Sequence, residues 1–170
     1  MTVTLRQAGP DEDLAPVGAL HHRSRVAAYR DFVPVEELET FGAAAFGAWW
    51  TERWTWERRT HRLTVAECDG RLVGFTYVGP DGDDDGVAQL YAIHLEPQEQ
   101  GKGLGRLLMV DALDALRAAG WPRVVLWVLA GNAHARRFYE RGGWAPDGRE
   151  REDVIGTVTT PQLRYARDIT

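Results

Sequence analysis

Lysine is nearly missing from this chain. Of its 20 basic residues only Lys102 is a lysine, and the rest are arginines. Cysteine is just as scarce. Cys68 stands alone, so no internal disulfide can form, a disulfide framework is excluded, and a reducing compartment is expected. Long apolar runs are absent too: none approaches the roughly 18 residues that span a bilayer. Residues 1–10 lack the charged start and apolar stretch of a signal peptide. A basic surplus is also lacking. The 25 acidic residues outnumber the basic ones, for a net charge of −5 and an isoelectric point near 5.5. Neutralising phosphates needs a basic face, so nucleic-acid binding is disfavoured. No internal repeat or low-complexity linker appears. These absences together lead us to expect a soluble, cytoplasmic protein with no membrane and no nucleic-acid partner.

What is present is ordinary globular composition, 170 residues with 44% hydrophobic and 26% charged. That length reads as one domain over residues 1–170, large enough to bury about 70% of the surface its unfolded chain exposes. Residues 10–31 read as a helix, with Asp11 or Asp13 as cap and Leu14, Val17, His21 and Ala28 at helical spacing. Pro34 breaks the chain. Residues 35–57 read as a second helix, with Phe46, Trp50 and Trp54 on one face. The period then changes. Residues 62–68 and 71–78 are strand-like, and Asp69-Gly70 between them signals a two-residue hairpin. An aspartate-rich loop over 79–86 precedes a strand over 87–95. A glycine-rich turn opens a helix that runs to about Ala119 and is ended by Gly120. Residues 123–129 are nearly all apolar, as in a strand buried on both faces. Asn132 caps a helix that Gly142-Gly143 stop. Two further strands fit 144–151 and 158–167.

The chemistry concentrates in Leu95-Glu96-Pro97-Gln98-Glu99-Gln100-Gly101-Lys102-Gly103-Leu104-Gly105-Arg106. A strand ends, a glycine turn follows, and a helix begins, an arrangement suited to an anion. Two familiar phosphate motifs fail here. The dinucleotide fingerprint needs glycine where Arg106 stands. The triphosphate loop needs glycine at Glu96 and a hydroxyl residue at Gly103.

Gln100-x-x-Gly103-x-Gly105 after a strand and a proline resembles the acetyl-coenzyme A (acetyl-CoA) pyrophosphate loop of the GNAT superfamily of N-acetyltransferases. Asn132-x-x-Ala135-x-x-Phe138-Tyr139-x-x-x-Gly143-Trp144 resembles that family's second block. The stretch Ala27 to Pro34 is similar to the first-helix end of many of its members. The resemblance implies an α/β (α+β) fold, with a mixed, mostly antiparallel sheet of six to seven strands flanked by about four helices. It also implies acetyl-CoA as co-substrate, with no metal.

By that resemblance the backbone from Gln100, Gly101, Lys102, Gly103 and Gly105 to Arg106 holds the pyrophosphate. Lys102 and Arg106 are placed to add charge-assisted contacts. Ile93, His94 and Leu95 lie on the splayed strand that pairs with the pantetheine arm. An amide near Ile93 polarises the thioester carbonyl. Asn132 contacts the coenzyme, and Tyr139 is the general acid for its thiolate as well as a coenzyme contact. Some family members carry a glutamate base where this chain has Gln89, which cannot take a proton. His94, Glu67 or a water relay are the alternatives. His94 alternates with Ile93, so only one of them faces the acceptor.

The acceptor is expected to be a small-molecule or peptide amine. Trp49 or Trp56 is a candidate for its wall, against a core role for Phe46, Trp50 and Trp54. Asp81 to Asp85 either attract a cation or form a solvated turn. The histidines have no metal-ligand spacing, and Cys68 reads as a small apolar filler. A homodimer through the last two strands fits the resemblance. A catalytically inactive acyl-CoA-binding module is the alternative function.

Overall fold

A computed structural model describes residues 2–170. The elements run β1 (Val3–Gln7), α1 (Ala15–Tyr29), α2 (Val35–Leu38), α3 (Ala43–Glu57), β2 (Arg62–Cys68), β3 (Arg71–Pro80), β4 (Ala88–Leu95), α4 (Leu104–Ala118), β5 (Arg123–Leu129), α5 (Ala133–Arg141), β6 (Ala145–Ile155) and β7 (Val158–Asp168). The strands form one seven-stranded sheet in the order β1-β2-β3-β4-β5-β7-β6. Every neighbouring pair is antiparallel except β4 and β5. This is the mixed, mostly antiparallel sheet flanked by helices that the sequence implies.

Two apolar layers sandwich the sheet. Trp50 and Trp54 of α3 pack with Leu14, Val17 and Leu20 against Leu63, Val65, Phe75 and Tyr77. Phe46 is buried as well, so the aromatic face of this helix serves the core. On the other face, Met109, Ala112, Leu113 and Leu116 of α4 cover Leu90, Val124, Leu126 and Tyr165. Cys68 is buried beside Leu104 and Leu108 as an apolar filler.

α1 and α3 touch backbone to backbone. A Cβ on Gly18 would stand 2.2 Å from the Gly47 amide nitrogen, so only glycine fits the crossing. The Asp69-Gly70 hairpin forms as expected, and Asp69 takes a positive φ of 53°.

Besides a β6 that runs on to Ile155 rather than ending near 151, three elements differ from the sequence reading. β1 was not anticipated: it is a short edge strand in which only Val3 and Leu5 turn inward against Ala66 and Cys68. The first helix begins at Ala15 with Pro16 in its opening turn, rather than near residue 10, and Asp13 accepts from the Ala15 amide at 3.0 Å. The single helix expected over 35–57 is two. Thr40 hydroxyl donates to Glu37 carbonyl at 2.6 Å, and Gly42 is extended at the start of α3. The break lets Leu38 bury against Val33, Leu129 and Ile155, while α3 turns away to pack on α1.

Candidate active site

The parallel pair at the middle of the sheet is almost unmade. β4 and β5 share only the partners Ala88↔Val124 and Gln89↔Val125. Beyond them β5 continues alongside β7, and β4 continues alongside β3 as far as Leu95. The β5-facing edge of β4 past Gln89 is therefore bare backbone inside a sheet, free to pair with an extended guest.

A bulge aims the side chains there. Tyr77 is opposite Ala92 and Val78 is opposite Leu90, so Tyr91 is the extra residue. Strict alternation would leave Ala88, Leu90, Ala92 and His94 on one face. Instead Ala88 and Leu90 pack with α4, Ala92 joins the α1–α3 layer, Ile93 packs with α4, and His94 meets α1. Only one of Ile93 and His94 faces the α1 side, and it is His94.

The glycine loop lies at the open end of the splay. Gly101 and Gly103 have φ of 79° and 87°, with open space where a Cβ would stand. No side chain caps α4. Among the described residues, the amides of 101–106 have no backbone partner. An uncapped first turn preceded by left-handed glycines presents its N–H groups outward, as an anion requires. Lys102 is exposed, 3.5 Å from Glu99, and Arg106 is exposed in the first turn. Gly105 meets the Phe138 ring at 3.4 Å and Leu95 at 3.7 Å, measured from its virtual Cβ. The loop, the end of β4 and α5 thus converge at one point.

α5 supplies the second set of groups. Asn132 caps it, accepting from the Ala135 amide at 3.2 Å, and no group among the described residues accepts from its side-chain amide. Tyr139 is partly buried beside Trp144 and Tyr165, with centroids 6.1 and 6.3 Å away. No protein group among the described residues hydrogen-bonds its hydroxyl. Burial, and the Tyr29 phenol nearby, push its pKa above the ordinary tyrosine value.

The far wall is α1, where the sequence reading named His21 and the Ala27–Pro34 stretch but not Ser24 or Arg25. His21, Ser24, Arg25 and Tyr29 fall at helical spacing on the face turned toward β4. Ser24 Oγ lies 3.0 Å from His94 Nδ1. The His21 and His94 rings are 4.2 Å apart, and Trp50 Nε1 donates to His21 Nδ1 at 2.9 Å. Burial, then the charge of Arg25, lowers His94 to about 4. Burial likewise holds His21 well below the usual histidine value. Arg23 pairs with the buried Glu96 carboxylate and fixes α1 to the start of the glycine loop. The missed signal is a run of polar residues on a helix face that apolar periodicity would assign to core.

Other candidates lie elsewhere. Gln89 sits at the closed end of the splay. Glu67 is on β2, separated from β4 by β3, and is paired with Arg6. Asp84 binds Arg149 and Arg164 at 3.0 and 2.6 Å, and Asp81 accepts from the amides of Asp83 and Asp84. The aspartate loop therefore ties itself to the last two strands. Trp56 is 80% exposed, whereas Trp49 is 40% exposed and lies 6.4 Å from His21. No helix among the described residues is long and apolar enough to cross a membrane.

Comparison with known proteins fits this geometry. Residues 26–144 match the Acetyltransferase (GNAT) family, and the chain belongs to it. It is 37% identical over 134 residues to a mycothiol acetyltransferase of Rhodococcus jostii, covering 68% of this chain and 44% of that protein. A mycothiol acetyltransferase of Thermomonospora curvata is 43% identical over 84 residues, covering 48% of this chain and 27% of that protein. The chain thus spans less than half the length of these relatives. The PaiA N-acetyltransferase of Thermoplasma acidophilum, solved with coenzyme A, superposes with a TM-score of 0.81 at 17% identity, covering 99% of each chain. A Salmonella typhimurium acetyltransferase solved with acetyl-CoA gives 0.73 at 21% identity, covering 100% of this chain and 95% of that one.

Proposed function

We propose that the chain transfers an acetyl group from acetyl-CoA to an amine by direct attack within a ternary complex. The observation that carries this reading is the bare edge of β4 running into a loop of unpartnered amides, with the uncommitted Tyr139 hydroxyl beside it. Acetyl-CoA supplies the thioester. The edge around Ile93, His94 and Leu95 binds its peptide-like arm as an added strand would. Amides from Gly101 through Arg106 hold its pyrophosphate, helped by Lys102 and Arg106, while the Gln100 amide donates to the Pro97 carbonyl at 3.4 Å. An Ile93 amide donates to the thioester oxygen as negative charge gathers there, and Asn132 adds a contact from α5.

Tyr139 keeps its proton across the physiological range and donates to the departing sulfur. Free thiols titrate near about 8.5, below any phenol, so the upward shift keeps Tyr139 protonated and donating a hydrogen bond to the sulfur while lowering the driving force for complete transfer. The balance closes because the proton that the nitrogen sheds on acylation returns through water to the Tyr139 phenolate, which has given one to the sulfur. His94, held near 4 and bonded to Ser24, is too weak to deprotonate an ammonium that titrates near about 10. The amine's proton therefore leaves to water.

The test is thiol release from acetyl-CoA against polyamines, amino acids, aminoglycosides, arylalkylamines and peptide N-termini, with Tyr139→Phe alongside. We expect release that depends on one amine class. In the variant, turnover should fall about a hundredfold with coenzyme affinity preserved. Unchanged turnover would remove Tyr139 from the chemistry. Coenzyme binding without release by any amine would favour a binding module that catalyses nothing.

A further inference from the structure

Among the described residues of the α1 wall, Arg25 is a cation with a buried nitrogen that no acceptor meets. Arg25 is partly buried, its guanidinium lies 5.4 Å over the Phe46 ring, and its Nη1 is shut off from solvent without a hydrogen-bond partner. Among the described residues no carboxylate forms an ion pair with it, although the charge of Asp153 on β6 reaches it. Its own charge is felt at His21, Tyr29 and His94, which places it in the wall that faces the splay. A guanidinium nitrogen shut off from water without an acceptor is unfavourable unless the group it serves arrives from outside. A guanidinium's planar fork suits a carboxylate.

The surroundings agree on the sign of that visitor. The titratable side chains around Arg25 include His21 and His94, both held toward the neutral form, the phenol of Tyr29, His22, which shares the Phe46 ring with Arg25 and is paired with Glu39 at 3.1 Å, and the more distant Asp153. Nothing close by would balance a second positive charge on the acceptor. Arg25 stands four residues after His21 and four before Tyr29. Tyr29 in turn stands close enough to Tyr139 to raise its pKa. An anion on Arg25 would thus share a wall with Tyr29, whose phenol acts in turn on the group proposed to protonate the thiolate.

We propose that the acceptor is an amino acid, an amine carrying its own carboxylate, and that Arg25 binds that carboxylate and turns the nitrogen toward the splay. The inference rests on the acetyl-transfer reading and narrows it. Polyamines and other dications are then poor acceptors, because they would bring a second cation to an uncompensated one.

The experiment measures thiol release at saturating acetyl-CoA for a set of L-amino acids, for their amides, and for their decarboxylated amines. The amide arm separates a free amino acid from the N-terminal residue of a peptide. The native protein should prefer at least one amino acid over its amide by about tenfold or more in kcat/KM. Arg25→Gln should collapse that ratio toward unity, mainly through KM, with coenzyme A affinity by calorimetry unchanged. Arg25→Lys should restore part of the preference. Equal rates for acid and amide, or a preference that survives Arg25→Gln, would overturn the assignment while thiol release itself still supports acetyl transfer. Release with polyamines or arylalkylamines but with no amino acid would do the same. Coenzyme binding with no release by any amine would overturn both readings. Should Arg25→Gln fail to fold, the comparison of acid and amide on the native protein decides the question.

Discussion

The α4 side of the splay presents backbone, and the α1 side presents side chains. On the α4 side the working groups are amides of a loop whose glycines leave open space around them. On the α1 side His21, Ser24 and His94 are already bonded within the protein, with Trp50 behind them, and Arg25 is the exception. Glycine itself shows the difference. Gly103 holds a turn that faces outward, whereas Gly18 lets two helix backbones touch. A site made of amides tolerates much change nearby provided the chain keeps its path. A site made of packed side chains is tied to the stability of the core beneath it.

The strongest way to break this comparison is Gly18→Ala. Its Cβ would enter the Gly47 backbone at 2.2 Å, so the helices must part. We expect a loss of upwards of about 3 kcal/mol in denaturant unfolding. A near-neutral result would show that the α1 wall is not bound to its core.

The next effect is a pH dependence on the same side. His94 is lowered to about 4 in the folded protein, against about 6.5 unfolded. Above the unfolded value both states are neutral and the stability is complete. As pH falls through this window the unfolded chain takes up the proton first. Stability should drop by about 1.4 kcal/mol per pH unit, about 3 kcal/mol in all. His21 shifts in the same direction and steepens the slope. Thermal melts between neutral pH and pH 4 should show this, and His94→Asn should flatten it.

Gly103→Val tests the other side. A branched residue at a φ of 87° is strained but meets no neighbour. The chain should still fold, while coenzyme A affinity by calorimetry falls about tenfold or more. Undiminished affinity would sink the phosphate-cradle reading. Asn132→Ala is the smallest change. It removes the cap of α5 and should cost about 1 kcal/mol in thermal unfolding.

The same contrast explains what could be read from the sequence. Backbone recognition needs particular residues at fixed spacing, so Gly101, Gly103 and Gly105 announced the loop. Asn132 announced the start of α5. The Asp69-Gly70 hairpin and the apolar strand β5 were equally legible, because turn chemistry and burial on both faces act locally. β1 was not, since a short edge strand with Arg6 and Gln7 among its residues gains its structure from β2. The break between α2 and α3 was hidden because Leu38 buries against residues more than ninety positions away. Arg25 and Ser24 were missed for a related reason. Their role depends on a bulge at Tyr91 that turns His94 toward them, and no spacing within α1 reveals it.

Lys102 has a practical consequence. It is the chain's only side-chain amine, exposed in the loop between two glycines. An amine-reactive dye added to the native protein therefore has one lysine to find, at the mouth of the cradle. Its fluorescence would report directly on whether that cradle is filled, without an engineered label.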